Sequence, residues 1–218
     1  MPRQLPLSIY GDDPDIVLEG IIEIPTVGVA SFPAVAVCHP DPLMGGTMLS
    51  PVVEWVCRHL AEAGIATLRF NFRGIGESTG EFGGGQTGRE DAKTAFRLLQ
   101  EWPDVDPEKV GMAGYSFGGT MALLTGIAEP AVRGVAVISP PLGLLDYADM
   151  YAYRKPLLLI GGEKDLMTPG AKVTAVREKL SPLAETVAIS GADRSWGGNE
   201  EQLALEVARF FKKVLRGQ

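Results

Sequence analysis

Short runs of consecutive apolar residues punctuate this chain, and between them apolar positions return every three or four residues. The runs Ala34–Cys38, Val110–Ala113, Val135–Ile138, Leu157–Ile160 and Thr186–Ile189 lack regular apolar–polar alternation, and Ala66–Phe70 is a further strand candidate of the same length. A strand that buries one face alternates, whereas a strand covered on both faces does not. These runs therefore predict a largely parallel sheet joined by helical crossovers. Two earlier candidates, Leu5–Tyr10 and Ile16–Ile24, flank the turn-forming Gly11-Asp12-Asp13-Pro14 and predict an antiparallel start, giving eight strands.

The helical stretches carry start signals. Ser50-Pro51 offers an N-cap and an N1 proline ahead of a stripe of Val53, Val56, Cys57, Leu60 and Ala61. Thr87-Gly88-Arg89-Glu90 has capping-box spacing before Ala92, Ala95, Phe96, Leu99 and Trp102. Thr168-Pro169 predicts another start, and Asn199 with Gln202 is expected to cap a last helix striped by Ala204, Val207, Ala208, Phe211 and Leu215. Gly83-Gly84-Gly85 reads as a flexible loop, because no strand ends immediately before it.

Length and charge narrow the picture. The 218 residues, 45% of them hydrophobic, suit one domain over 1–218. A net charge of −7 disfavours nucleic acid and anionic membrane surfaces, so a small-molecule ligand is expected. No stretch approaches the roughly 20 apolar residues of a membrane span, and the opening residues have no apolar signal core, so the expected location is the cytoplasm. Cys38 and Cys57 have no C-x-x-C spacing, which argues against a disulfide or thiolate metal site; no metal and no cofactor are expected, and no feature specifies an oligomeric state.

The chemistry concentrates at Gly114-Tyr115-Ser116-Phe117-Gly118. This G-x-S-x-G follows the run Val110–Ala113 and precedes a helical pattern through Met121, Leu123 and Leu124, the strand, turn and helix that a nucleophile elbow requires. The glycines permit a sharp turn that lifts the Ser116 hydroxyl above the sheet in a strained backbone conformation. The new helix's N-terminus, including the Phe117 N–H, faces any developing oxyanion.

With this elbow the chain resembles the α/β-hydrolase family, in particular its small cap-less branch near dienelactone hydrolases and short acyl esterases. The likeness extends to His39-Pro40-Asp41-Pro42-Leu43-Met44-Gly45-Gly46-Thr47-Met48, to Leu68–Ser78, to Gly161-Gly162-Glu163-Lys164-Asp165 and to Gly191-Ala192-Asp193. It implies an eight-stranded sheet with only the second strand antiparallel, Ser116 as nucleophile and Asp165 as acid. Pro40 and Pro42 have no N–H, so the second oxyanion donor must come from Asp41, Leu43, Met44 or the glycines. The resemblance favours Asp41 or Leu43, paired with Phe117.

One position breaks the pattern. Triad order in this fold is serine, acid, histidine, and in related sequences Gly-Ala-Asp is followed by histidine. Here Arg194 follows, and a guanidinium has no lone pair with which to accept the serine proton. The remaining histidines are His59, expected at the surface, and His39, which the resemblance makes an anchor of the oxyanion loop. Glu163 and Asp193 are weaker alternatives for the acid, and Glu77, Glu81 and Asp91 read as loop or helix-start carboxylates. Leu144, Tyr147, Met150, Tyr151 and Tyr153 are candidates to line an open apolar pocket with Phe117 and Trp196. Arg194 is expected to pair with Asp165, Asp41 or both; if Asp165 takes it alone, Asp41 is expected to face solvent.

Two functions follow. One is a serine hydrolase of small esters, thioesters or lactones, acting through Ser116 with a triad impaired by Arg194. The other is a catalytically silent hydrolase-fold protein that binds a small, anionic ligand or a protein partner.

Overall fold

The computed structural model describes residues 2–26 and 31–217; Met1 and Gln218, the ends of the expected domain, lie outside the described residues. Its strands are β1 (Arg3–Tyr10), β2 (Val17–Ile24), β3 (Phe32–Cys38), β4 (Ala66–Phe70), β5 (Val105–Tyr115), β6 (Val135–Ile138), β7 (Leu157–Gly162) and β8 (Ala184–Ile189). They form an eight-stranded sheet in the order β1-β2-β4-β3-β5-β6-β7-β8. β2 runs antiparallel to both its neighbours, and the remaining pairings are parallel.

The helices are α1 (Pro51–Glu62), α2 (Gly85–Glu101), α3 (Phe117–Ala128), α4 (Leu142–Leu145), α5 (Ala148–Ala152), α6 (Gly170–Ala175) and α7 (Glu200–Arg216). Successive side chains of a strand point to opposite faces. Ala34, Ala36 and Cys38 of β3 accordingly join Leu68, Phe70, Met112, Phe96 and Met121 in one apolar cluster. Val35 and Val37 join Val56, Leu60, Ile160, Val207 and Phe211 on the other side. The registers align the strand ends: Cys38 pairs with Gly114, Tyr115 with Ile138, and Ile138 with Ile160. The carboxyl ends of β3, β5, β6 and β7 therefore form one edge, where open parallel sheets place their ligands.

Several local expectations change. β5 begins at Val105, well before the apolar run, because Pro107, Glu108 and Lys109 are exposed and give no hydrophobic signal. α2 begins at Gly85 rather than at Thr87, because Gly84 takes the N-cap position at φ 78°, a conformation that favours glycine. Only part of the triple-glycine stretch is thus loop, and the Thr87 hydroxyl accepts from the Gly83 N–H instead of capping. Ser50 and Asn199 stand at the N-caps of α1 and α7, but neither side chain caps the helix. His59 is nearly buried, not on the surface, with its ring stacked on Trp55 at 5.4 Å. The reason is α7, which packs along α1 and covers a flank that the periodicity of α1 leaves polar.

Asp91 also departs from its reading as a helix-start carboxylate. It is buried, accepts the Arg73 N–H at 2.9 Å and the Arg73 Nε at 2.8 Å, and so ties the loop after β4 to α2. Breaking a buried pair from one side leaves the other charge short of a partner, and Arg73 would keep only the exposed Glu90 at 3.1 Å. Asp91→Ala is therefore expected to lower stability by about 3 kcal/mol in urea denaturation; a loss below about 1 kcal/mol would mean that Arg73 simply returns to solvent.

Candidate active site

Ser116 lies between the last residue of β5 and the first of α3, at φ 54° and ψ −115°, so the elbow is strained as expected. Close backbone approach forces this geometry. A Cβ on Gly118 would meet the carbonyls of Cys38 and His39, and one on Gly114 would meet the Gly118 carbonyl. The Ser116 N–H donates to the Ile138 carbonyl at 2.8 Å, which fixes the residue to the end of β6.

Arg194 reaches this serine. Its Nη2 donates to Ser116 Oγ at 2.8 Å and to the Ser139 carbonyl at 3.3 Å, while Nη1 donates to Asp165 Oδ2 at 3.0 Å. Asp165 is buried, and its Oδ1 accepts the Met167 N–H at 2.9 Å and the Thr168 N–H at 3.0 Å. Every hydrogen of the guanidinium is a donor, so Ser116 Oγ is the acceptor in the contact they share. Arg194 thus spans the distance between serine and carboxylate that a histidine ring would fill.

Residues without a chemical signature of their own hold the Arg194 loop. The Tyr115 hydroxyl donates to the Arg194 carbonyl at 2.5 Å, and Trp196 Nε1 donates to Ser139 Oγ at 3.1 Å. Asp193 accepts from the Ser195 hydroxyl at 2.6 Å and N–H at 2.9 Å, and those bonds hold its carboxyl below the ordinary range. Glu163 accepts the Gly191 N–H at 3.0 Å and the Ser190 hydroxyl at 2.8 Å, which lowers its pKa likewise. Both alternative acids are loop ties, and neither bonds Ser116 or Arg194. Sequence reading missed Tyr115 and Ser139; the position of Ser139 at the end of β6, just before Pro140-Pro141, is the one cue to its unusual φ of 44°.

The loop after β3 narrows two expectations. Asp41 Oδ1 accepts the Leu43 N–H at 2.9 Å, capping the short 3₁₀ turn Pro42–Met44. The Leu43 amide is therefore occupied, and the Asp41 carboxylate serves its own loop instead of pairing with Arg194. A bond to a residue two positions away costs far less chain entropy than an ion pair across the cleft. The Asp41 N–H takes part in none of the hydrogen bonds among the described residues, and Phe117, at the first helical position, has no intrahelical acceptor.

His39 is fully engaged. Its Nε2 accepts the Phe72 N–H at 3.1 Å, its Nδ1 lies 2.7 Å from the Pro40 carbonyl, and burial pushes its pKa down to about 4. It joins the loops after β3 and β4 and has no lone pair to offer Ser116.

Most of the candidate pocket residues pack into the protein instead, while Tyr147 stays exposed and Tyr151 is partly buried. Leu144, Met150 and Tyr153 turn into the core, Trp196 is buried with the α7 cluster, and Phe117 packs edge-on against Phe72 at 5.4 Å and Phe82 at 5.5 Å. The segment after β6 folds into α4 and α5, too short to stand away from the sheet. Apolar surface at this end is instead an exposed rim of Leu43, Met44, Leu142, Leu166 and Met167. Among the described residues no group of His, Cys, Asp or Glu could hold a metal ion, and no helix is long and apolar enough to cross a membrane.

Residues 22–198 match the family described as X-Pro dipeptidyl-peptidase (S15 family). The chain belongs to the S15 family. Solved structures similar to it include an α/β serine hydrolase homologue from Coxiella burnetii, 31% identical over 94% of this chain and 96% of that one, with a TM-score of 0.82. An α/β serine hydrolase without lid from Xanthomonas campestris is 27% identical over 98% of this chain and 95% of that one, at a TM-score of 0.83. A dienelactone hydrolase from Anabaena variabilis is 25% identical over 99% of both chains, at 0.81. This S15 member thus has the lidless α/β-hydrolase fold that its sequence resemblance implied.

The depressed pKa of His39 makes stability depend on pH. Unfolded, the ring binds a proton near 6.5; folded, it stays neutral down to about 4. Between those values the unfolded state holds more protons, so stability falls as pH drops, by roughly 3 kcal/mol across the window. Urea denaturation at intervals from neutral to mildly acidic pH is expected to show this slope, and His39→Gln to flatten it. An unchanged slope in the variant would assign the effect to other groups.

Proposed function

We propose that this chain is a lidless serine hydrolase of small esters, thioesters or lactones, in which acyl transfer through Ser116 is impaired at its proton-transfer steps. The observation that carries this reading is the contact from Arg194 Nη2 to Ser116 Oγ at 2.8 Å. In acyl transfer the serine oxygen attacks the carbonyl carbon, its proton passes to a base, and that proton returns to the leaving group. Ser116 has the position and the elbow for attack, and the N–H groups of Phe117 and Asp41 are the donors available for the oxyanion. Asp165 is proposed as the acid position. Arg194 supplies positive charge that favours an alkoxide, but it neither takes the proton nor returns it. Turnover then relies on water as the base. Sites that lose one triad member keep about 10³ to 10⁴ of rate enhancement from oxyanion stabilisation and binding.

Position 194 is open to a direct test, because the loop is held through the Arg194 carbonyl and the turn at Asp193, not through the guanidinium alone. Arg194→His is expected to raise hydrolysis of p-nitrophenyl acetate by at least about tenfold, and to bring fluorophosphonate labelling of Ser116, read by intact mass, from slow to rapid. A folded variant with no gain in either would overturn the proposal.

A further inference from the structure

We propose that the Ser116 site also serves as a receptor for a small monocarboxylate with an apolar body, the acid side of an ester rather than the ester itself. The inference rests on the reading of Ser116, Arg194 and the two amides given above, and it requires no turnover.

The hydrogen bond between Arg194 and Ser116 runs in one direction only. Arg194 can only donate, so it occupies a lone pair of Ser116 Oγ and leaves the hydroxyl proton uncommitted. Among the described residues that proton has no acceptor in the protein. A histidine at the same place would draw it inward, toward the ring. With arginine there, the hydroxyl is a donor free to face the cleft. The Phe117 N–H adjoins it in the chain. The Asp41 N–H lies in the loop that follows β3, whose last carbonyls abut Gly118 in the first turn of α3. An acceptor-only group suits this set, and a carboxylate with its two oxygens is the smallest organic group that does so.

Charge points the same way. Next to a neutral histidine, the negative charge of Asp165 would stand uncompensated and would repel a second carboxylate. Here Arg194 neutralises Asp165 at 3.0 Å, and the Asp41 carboxylate is turned to the Leu43 N–H. The Arg194 Nε makes no hydrogen bond among the described residues, which leaves one more charged donor at the site. Around it, Leu43, Met44, Leu166 and Met167 are exposed at the carboxyl ends of β3 and β7. Such a rim fits a short alkyl or aryl body, and it disfavours an inorganic anion that has none.

Isothermal titration of the full chain at about pH 8, where hexanoate is ionised, compares hexanoate with hexanamide, its uncharged analogue, and with inorganic phosphate. Hexanoate is expected to bind at least about tenfold more tightly than either, and Ser116→Ala to weaken hexanoate. Equal binding of hexanoate and hexanamide would overturn the proposal, as would phosphate binding as tightly as hexanoate. Both comparisons use the unaltered chain, so they do not depend on the variant folding. They are also independent of ester hydrolysis: failure of Arg194→His to gain activity would defeat the hydrolase reading and leave hexanoate binding standing, whereas loss of the hexanoate preference would do the reverse.

Discussion

The site is built around a place where backbone touches backbone. The first turn of α3 lies against the carbonyls of Cys38 and His39, Gly114 faces Gly118, and Gly119 sits against the Val137 side chain. A side chain at any of these glycines would drive β3, β5, β6 and α3 apart. Ser116 takes up the turn at this crossing with a φ of 54°. Strain of that kind costs about 1 to 3 kcal/mol, and it persists because the packed sheet on both sides over-determines it. The serine is therefore placed by the core, whatever stands at position 194.

What the serine can do is decided by charge and proton bookkeeping at its neighbour. A buried carboxylate needs partners, and Asp165 has two amides and a guanidinium. A histidine in the same place would satisfy it with one N–H and keep a basic nitrogen for the serine. Arginine satisfies it with a full charge and keeps nothing basic. The S15 family and the lidless neighbours describe the scaffold, and the scaffold hosts many activities. The reactivity is set by which atoms beside Ser116 carry lone pairs.

Much of this was readable in the sequence, for physical reasons that differ from element to element. β3 and β7 are buried on both faces, so their composition announces them; β5 was shortened because Pro107, Glu108 and Lys109 run out into solvent and look like loop. The juxtaposition of Ser116, Asp165 and Arg194 followed from strand order, since each closes a strand or its following turn at one edge of the sheet. Of the two carboxylates open to Arg194, Asp165 takes it and Asp41 does not, because for Asp41 a local cap competes with a distant ion pair and proximity in the chain wins. Asp91 and His59 were misjudged for a common reason: Arg73 and α7, which bury them, lie at separations where no periodicity links the partners. Tyr115 and Ser139 support Arg194 through a carbonyl and a turn, roles that leave no mark on residue type.

The 194 loop is secured largely through its main chain and the turn that carries it. Tyr115 grips a main-chain carbonyl, Asp193 closes its turn on Ser195 and Trp196, and Trp196 is pinned by Ser139. None of these contacts involves the identity of the side chain at 194. The main chain at 194 is thus anchored separately from the guanidinium, whose own contacts are with Asp165, Ser116 and the Ser139 carbonyl. A replacement at 194 would therefore exchange the chemistry beside Ser116 more readily than it disturbs the turn that carries it.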